Sequence, residues 1–418
     1  MIAPAAGDDD GLPAVTVQLD GLAPCHPWTA LLEIGSARIT VRVRDDGSVE
    51  LDDRDDVNSS WDYSLWISEE EWREFCSRPT PRGMTSVQAL IATRGAQRLR
   101  GNRAVWARSA PALDRIVDAL RSREVPAPHR RPDPPPGPQG LGPIGGRYLR
   151  TDVDGEPVRI HVESAGSGVP LLCLHTAGAD SRQFRYLLED PELTRRFRLV
   201  AFDMPWHGRS DPPADWRTRR YALTTHTYAA TVLAVADALE LERPVLLGCS
   251  MGGAITLYLA ATAGERFAGA CALEGGLGNP GRFVDWTHRA DVDHSAFLTS
   301  WVGGLLSPSS PRGPSEQTLW GYAQSGPGVY QGDTHFYSRD FPLHAARLGP
   351  TRCPLWVFSG EYDYSATTEM SREAAERLGG ELVVLPGQGH FPMSEDPRAL
   401  AEHLYPVLDT IAAGRART

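Results

Sequence analysis

The chain has 418 residues, more than one ordinary hydrophobic core organises, so two domains are expected. Hydrophobic residues make up 41% and charged residues 23%, the balance of a globular protein. A net charge of −11 argues against a nucleic-acid partner.

The first residues, Met1 to Gly11, are small and acidic, with no positive segment leading into an apolar run. No apolar stretch is long enough to span a bilayer, so a cytoplasmic protein without a membrane partner is expected. The six cysteines (Cys25, Cys76, Cys173, Cys249, Cys271 and Cys353) have no metal-ligand spacing and read as small buried hydrophobes. No metal and no organic cofactor is implied.

An α+β segment is expected over residues 14–124. Arg38 to Val43 and Asp62 to Ile67 alternate like half-buried strands. Ser68 and Glu71 form a capping box for a helix through Cys76 that carries Trp72 and Phe75 on one face. A helix over 86–93, a strand at 98–99 and a helix over 109–121 follow. This order, with its Ser-Glu-Glu-Glu-Trp helix, is similar to the sterol-carrier-protein-2-like fold. The resemblance implies a lipid-binding cavity; an accessory domain with a filled core, serving assembly with a second copy, is the alternative. Residues 125–146 are rich in Pro and Gly and read as an extended linker. Each side of it has its own apolar residues, so a chain beginning near Gly146 is expected to fold.

From residue 147 to the end, strands and helices alternate, which implies a mostly parallel, doubly wound sheet. It opens with a hairpin turned at Asp154-Gly155. Val169 to Leu174 is a strand, and His175-Thr176-Ala177-Gly178-Ala179-Asp180 is the loop that leaves it. Val245 to Cys249 is a strand that breaks into Gly248-Cys249-Ser250-Met251-Gly252 and opens an Ala-rich helix. That turn needs small residues two before and two after the serine, because strand and helix approach closely there. It holds the Ser250 hydroxyl above the sheet, with the Met251 N–H at a helix start facing any developing oxyanion.

A serine hydroxyl needs a base and a group that orients the base. His390 follows the strand Glu381 to Pro386 in a tight loop. Two carboxylates stand at strand ends: Asp363, after Pro354 to Gly360, is favoured as the acid, and Glu274, after Ala268 to Leu273, is the alternative. The second oxyanion donor is expected at the Ala177 N–H, with Thr176 as the other candidate, while His175 braces the loop. Residues 276–348 interrupt the alternation and read as a cap. Its aromatic residues Trp286, Trp301, Trp320, Tyr322 and Tyr330 are expected to bind an apolar or aromatic substrate.

With the His175 loop, the Asp203 to Ser210 loop, the elbow at Ser250 and Gly389-His390 in this order, residues 147 to about 412 resemble an α/β-hydrolase-fold enzyme. The resemblance implies the order Ser250, Asp363, His390 and cleavage of a small-molecule ester or lactone through an acyl-enzyme. Relatives with aromatic caps include lactonases of macrolactones such as zearalenone. Carbon–carbon bond hydrolysis of a diketone uses the same triad, and a lipid carrier or a hydrolase-fold receptor is the non-enzymatic alternative.

Overall fold

The computed structural model describes residues 19, 26–53 and 60–415; Cys25 lies outside them. Among the described residues, no helix is long and apolar enough to cross a membrane. The chain divides into two compact units.

The first unit comprises residues 1–129 together with 289–308. Its strands are β1 (Trp28–Ile34), β2 (Ala37–Val43), β3 (Val49–Asp52), β4 (Tyr63–Ile67) and β5 (Leu99–Gly101). They form one sheet in the order β3-β2-β1-β4-β5, with β1 and β4 parallel and the other pairs antiparallel. The Ser68 capping box is present, with Ser68 Oγ accepting from the Glu71 N–H and Glu71 accepting from the Ser68 N–H. The helix expected over 109–121 is longer, Arg103–Glu124, because Asn102 caps it at the Ala104 and Val105 N–H groups and Pro111 is accommodated inside.

The expected cap over 276–348 is not one body. Helix His294–Gly303 belongs to the first unit, where Phe297 meets Trp106 edge-on at 6.0 Å and stacks on Trp301 at 5.9 Å. Thr85 Oγ1 donates to the Gly304 carbonyl at 2.5 Å on the same side. The chain therefore enters the first unit twice, and the apolar face of that helix is covered by residues far earlier in sequence.

The second unit, residues 130–288 and 309–418, is an α/β unit built on one eight-stranded sheet. Its strands are β6 (Gly145–Val153), β7 (Glu156–Ala165), β8 (Val169–Leu174), β9 (Phe197–Phe202), β10 (Val245–Cys249), β11 (Gly269–Leu273), β12 (Leu355–Gly360) and β13 (Glu381–Leu385). The order is β13-β12-β11-β10-β8-β9-β7-β6, parallel from β13 to β9 and antiparallel at β7 and β6. The hairpin turns at Asp154 and Gly155, both at positive φ (53° and 83°). Strands β10 and β11 are buried along their whole length, as parallel strands covered on both faces must be.

The Pro-rich segment has no helix or strand before β6 takes up its last two residues at Gly145, yet it is not a free spacer. Within the second unit, the Arg131 N–H donates to the Ser309 carbonyl at 2.8 Å, and Arg131 Nη2 donates to the Gly387 carbonyl at 2.8 Å. Asp133 Oδ1 accepts from the Gly313 N–H at 2.8 Å. The Arg131 guanidinium thus ties this segment to the loop that precedes His390, and the Asp133 carboxylate ties it to the start of helix Arg312–Ala323.

Candidate active site

The carboxyl ends of the parallel strands gather the candidate residues, which is where open α/β sheets form their crevices. Ser250 follows β10 with φ +55° and ψ −111°, a conformation that L-residues rarely hold. Its N–H donates to the Leu273 carbonyl at 2.9 Å, and its own carbonyl starts the helix Met251–Thr262 by accepting from the Ala254 N–H at 2.8 Å. The glycines are required by close approach. A Cβ on Gly248 would run into the Gly252 carbonyl, and one on Gly252 into the Leu174 carbonyl.

Asp363 and His390 lie beyond β12 and β13. The His390 Nδ1 and Asp363 Oδ2 are 2.6 Å apart, and Asp363 Oδ1 accepts from the Ser365 N–H at 2.6 Å. Both side chains are buried. Burial alone would push the Asp363 carboxyl up, but the facing His390 and the hydrogen bonds it accepts hold it below the usual value. Ser250 and His390 line one small cavity of about 30 Å³, together with Glu274, Asn279, Tyr337 and Met370. A larger cavity of about 320 Å³, lined by Trp206, Tyr221 and Arg219, contains none of the candidate catalytic residues.

Glu274 stands beside the pair. One donor atom each of Glu274, Asp363 and His390 falls within 4.8 Å of the others. A cation could find ligands there, but the His390–Asp363 hydrogen bond already places a proton between two of these atoms. The Cys249 thiol, next to Ser250 in sequence, points at the His390 carbonyl (3.3 Å), and burial drives it well above its ordinary pKa.

The loop after β8 is locked from several sides. The Thr176 N–H donates to Gln183 Oε1 at 3.1 Å, so it is committed elsewhere, and Thr176 Oγ1 meets the Tyr322 hydroxyl at 2.5 Å. His175 Nε2 accepts from the Met204 N–H at 3.1 Å while Nδ1 lies 2.9 Å from the Thr176 carbonyl, which fixes the Nδ1-protonated tautomer. Burial first, then the neighbouring His207, keeps His175 neutral by lowering its pKa. The Gly178 N–H donates to Asp333 Oδ2 at 2.7 Å. Asp333 also accepts from His207 Nε2 at 2.8 Å and from the Tyr221 hydroxyl at 2.7 Å. His207 Nδ1 faces the Pro205 carbonyl at 3.0 Å, so both ring nitrogens have acceptors. Burial opposes the charge, but the Asp333 carboxylate and these hydrogen bonds outweigh it and raise the His207 pKa.

The Asp203 to Ser210 loop is structural. Asp203 accepts from the Ser181 and Arg209 N–H groups, each at 2.8 Å, and is fully buried.

The expected substrate aromatics separate. Tyr322 and Tyr330 do lie against the loop after β8, Tyr330 beside Gly178. Trp286 is buried in a short turn over 285–288. Trp301 is packed in the first unit's core, Trp320 is 61% exposed on helix Arg312–Ala323, and none of the five lines the Ser250 cavity. Among the residues that do line it, Asn279, Ser365 and Met370 were not foreseen as such. Ser365 could have been inferred, since it stands two residues past Asp363 in the same turn.

A profile of the Alpha/beta hydrolase family matches residues 171–403, and the chain belongs to that family. It is 38% identical over 117 residues to AB hydrolase superfamily protein YisY of Bacillus subtilis (strain 168), covering 28% of this chain and 40% of that protein. It is 36% identical over 110 residues to 2-hydroxymuconate semialdehyde hydrolase of Pseudomonas sp. (strain CF600), covering 26% of this chain and 37% of that one. These matches thus span about two fifths of each relative. Among solved structures, the enol-lactonase from Burkholderia xenovorans LB400 superposes with a TM-score of 0.54 at 20% identity, over 62% of this chain and 99% of that chain. A thermophilic esterase from Thermogutta terrifontis gives 0.54 at 19% identity, over 64% and 99%. The likeness to these structures is one of fold.

Proposed function

We propose that the protein hydrolyses a carboxylic ester or lactone of a small, apolar or aromatic molecule through an acyl-enzyme on Ser250. His390 takes the serine proton, and Asp363 orients His390 and stabilises the imidazolium that forms. The tetrahedral oxyanion sits between the N–H groups of Met251, the first residue of its helix, and Ala177; the commitment of the Thr176 N–H to Gln183 favours Ala177 over Thr176. Water entering from the cavity side then releases the acid, with no metal or organic cofactor in the sequence of steps.

The observation that carries this reading is the 2.6 Å His390–Asp363 hydrogen bond in a cavity shared with a serine held at φ +55°. A cavity of about 30 Å³ holds roughly one water molecule. A small acyl group suits it better than a zearalenone-like macrolactone. A second reading, carbon–carbon bond hydrolysis of a diketone, is favoured by the similarity to 2-hydroxymuconate semialdehyde hydrolase. The first unit serves as an accessory domain. Its single five-stranded sheet with flanking helices supports the likeness to the sterol-carrier-protein-2-like fold, with lipid binding or self-association as its role.

Turnover of p-nitrophenyl butyrate, compared with Ser250→Ala, tests the main reading. Ser250→Ala is expected to retain less than about one per cent of the rate, because what remains without the nucleophile comes from the oxyanion hole and binding alone. Equal rates would refute it; cleavage of a diketone but of no ester or lactone would select the second reading.

A further inference from the structure

Glu274 is the one group of the buried cluster that the proposed steps do not use. It follows β11 with φ +49°, an uncommon conformation for a residue with a side chain, and is 1% exposed. The Gly360 N–H donates to both of its oxygens, at 2.8 and 3.0 Å. An oxygen of its carboxyl lies within 4.8 Å of one of Asp363's, and both side chains are buried. Two buried carboxyl groups this close disfavour ionising together, so one of them keeps its proton.

The surrounding donors decide who owns that proton. Asp363 accepts from His390 Nδ1 and from the Ser365 N–H, each at 2.6 Å, before Glu274 is counted. Glu274 has the Gly360 N–H alone to set against a negative charge. The anion therefore belongs on Asp363 and the proton on Glu274.

We propose that Glu274 is a neutral carboxylic acid that donates a hydrogen bond to the Asp363 carboxylate, acting as a positioning residue that holds Asp363 toward His390 and withdraws part of its charge. The proposal rests on the Ser250–His390–Asp363 reading of the site. Burial, and then the Asp363 charge, raise the Glu274 carboxyl well above the usual range, in the same direction. The other groups facing it are His390, the Cys249 thiol on β10 and Glu395 on the short helix Pro392–Glu395. Glu395 accepts from the Phe391 N–H at 2.9 Å and from Ser310 Oγ at 2.8 Å. Its charge too disfavours ionisation of Glu274.

The consequence concerns the base. A carboxylate relieved of part of its charge stabilises the imidazolium less, which keeps His390 available to accept the Ser250 proton at lower pH. Glutamine at 274 preserves the arrangement, since its NH₂ can donate to Asp363 while its oxygen accepts from Gly360. Leucine preserves volume and removes the donor.

The experiment compares wild type, Glu274→Gln and Glu274→Leu in three readouts. By infrared spectroscopy at pH 7, wild type should show a protonated-carboxyl carbonyl band that is missing from Glu274→Gln. The His390 imidazole titration, followed by NMR without substrate, and the acidic limb of kcat/KM should both move to higher pH in Glu274→Leu, by roughly one unit, the scale of one lost hydrogen bond to the charged partner. Glu274→Gln should restore most of that shift and most of the lost kcat. No carboxyl band difference, or a titration that moves to lower pH in Glu274→Gln as though a negative charge had been removed, would overturn the proposal. If Glu274→Leu fails to fold, the infrared and NMR comparison of wild type with Glu274→Gln still decides. A wild type that shows the band and cleaves no ester, lactone or diketone would instead sink the reaction class and leave the proton assignment standing.

Discussion

Asp363→Asn is the perturbation whose outcome the geometry constrains most. An amide has one acceptor and one donor end, and the Ser365 N–H, 2.6 Å from Asp363 Oδ1, demands an acceptor there. The amide oxygen turns to Ser365, and the NH₂ is left facing His390 Nδ1 across the 2.6 Å contact. That pairing is satisfied only when Nδ1 carries no proton, so the proton moves to Nε2, the nitrogen that must accept from Ser250. The opposite amide orientation sets NH₂ against the Ser365 N–H and loses that bond. A loss in kcat on the order of 10⁴ is expected, about 5.4 kcal/mol of transition-state stabilisation, with KM little changed. Stopped-flow hydrolysis of p-nitrophenyl butyrate and the rate of fluorophosphonate labelling should fall together. A loss below about tenfold, with the fold intact by circular dichroism, would refute the assignment of Asp363 as the orienting acid; a loss of 10⁴ in Glu274→Gln instead would move that role to Glu274.

Three further outcomes are expected. The raised His207 pKa means that the His207–Asp333 pair contributes stability fully below the unfolded value of about 6.5, and that this contribution is lost as pH rises through the higher folded value. Asp333→Asn should therefore cost about 3 kcal/mol in urea unfolding at pH 6, and markedly less at pH 9, with a flat difference across that range counting against the pair. Gly252→Ala should destabilise by roughly 3 kcal/mol and abolish labelling of Ser250, because the new Cβ meets the Leu174 backbone; normal labelling would show that strand and helix can part there. A chain beginning at Gly146 should be insoluble, since it strips the partners from Phe297, Leu298, Trp301 and Val302 and removes the Arg131 anchors, whereas also replacing 289–308 with a short loop should recover soluble protein. Soluble, active protein from the simple truncation would show that the second unit needs neither.

What the sequence made legible follows from how local each constraint is. The elbow is written in two steric demands on either side of one serine, and the strained Ser250 with its two close-packed glycines is where they pointed. His390 and Asp363 were readable because strand, turn and catalytic residue adjoin in sequence. The joining of Glu274 to Asp363 was not, since it depends on β11 and β12 lying side by side and on a positive φ at a non-glycine residue. Helix His294–Gly303 misled for a different reason: an apolar helical face looks the same whichever core it joins, and its partner Trp106 lies almost two hundred residues earlier. Trp320 did carry a signal. Pro314, Thr318 and Tyr322 are buried at four-residue spacing, and Trp320, two residues from each of the last pair, falls on the opposite side of the helix. Strands β1 and β3 went unforeseen, β1 because Trp28–Ile34 is buried at nearly every position and lacks clean alternation.

The account turns on a covalent intermediate at Ser250, and acid-quenched mass spectrometry after mixing the protein with p-nitrophenyl butyrate reads it directly. A butyryl mass increment on the peptide carrying Ser250, absent from Ser250→Ala and prolonged when deacylation is slowed, is the expected result. Ester hydrolysis that proceeds with no increment on Ser250, or with the increment on another residue, would contradict the mechanism.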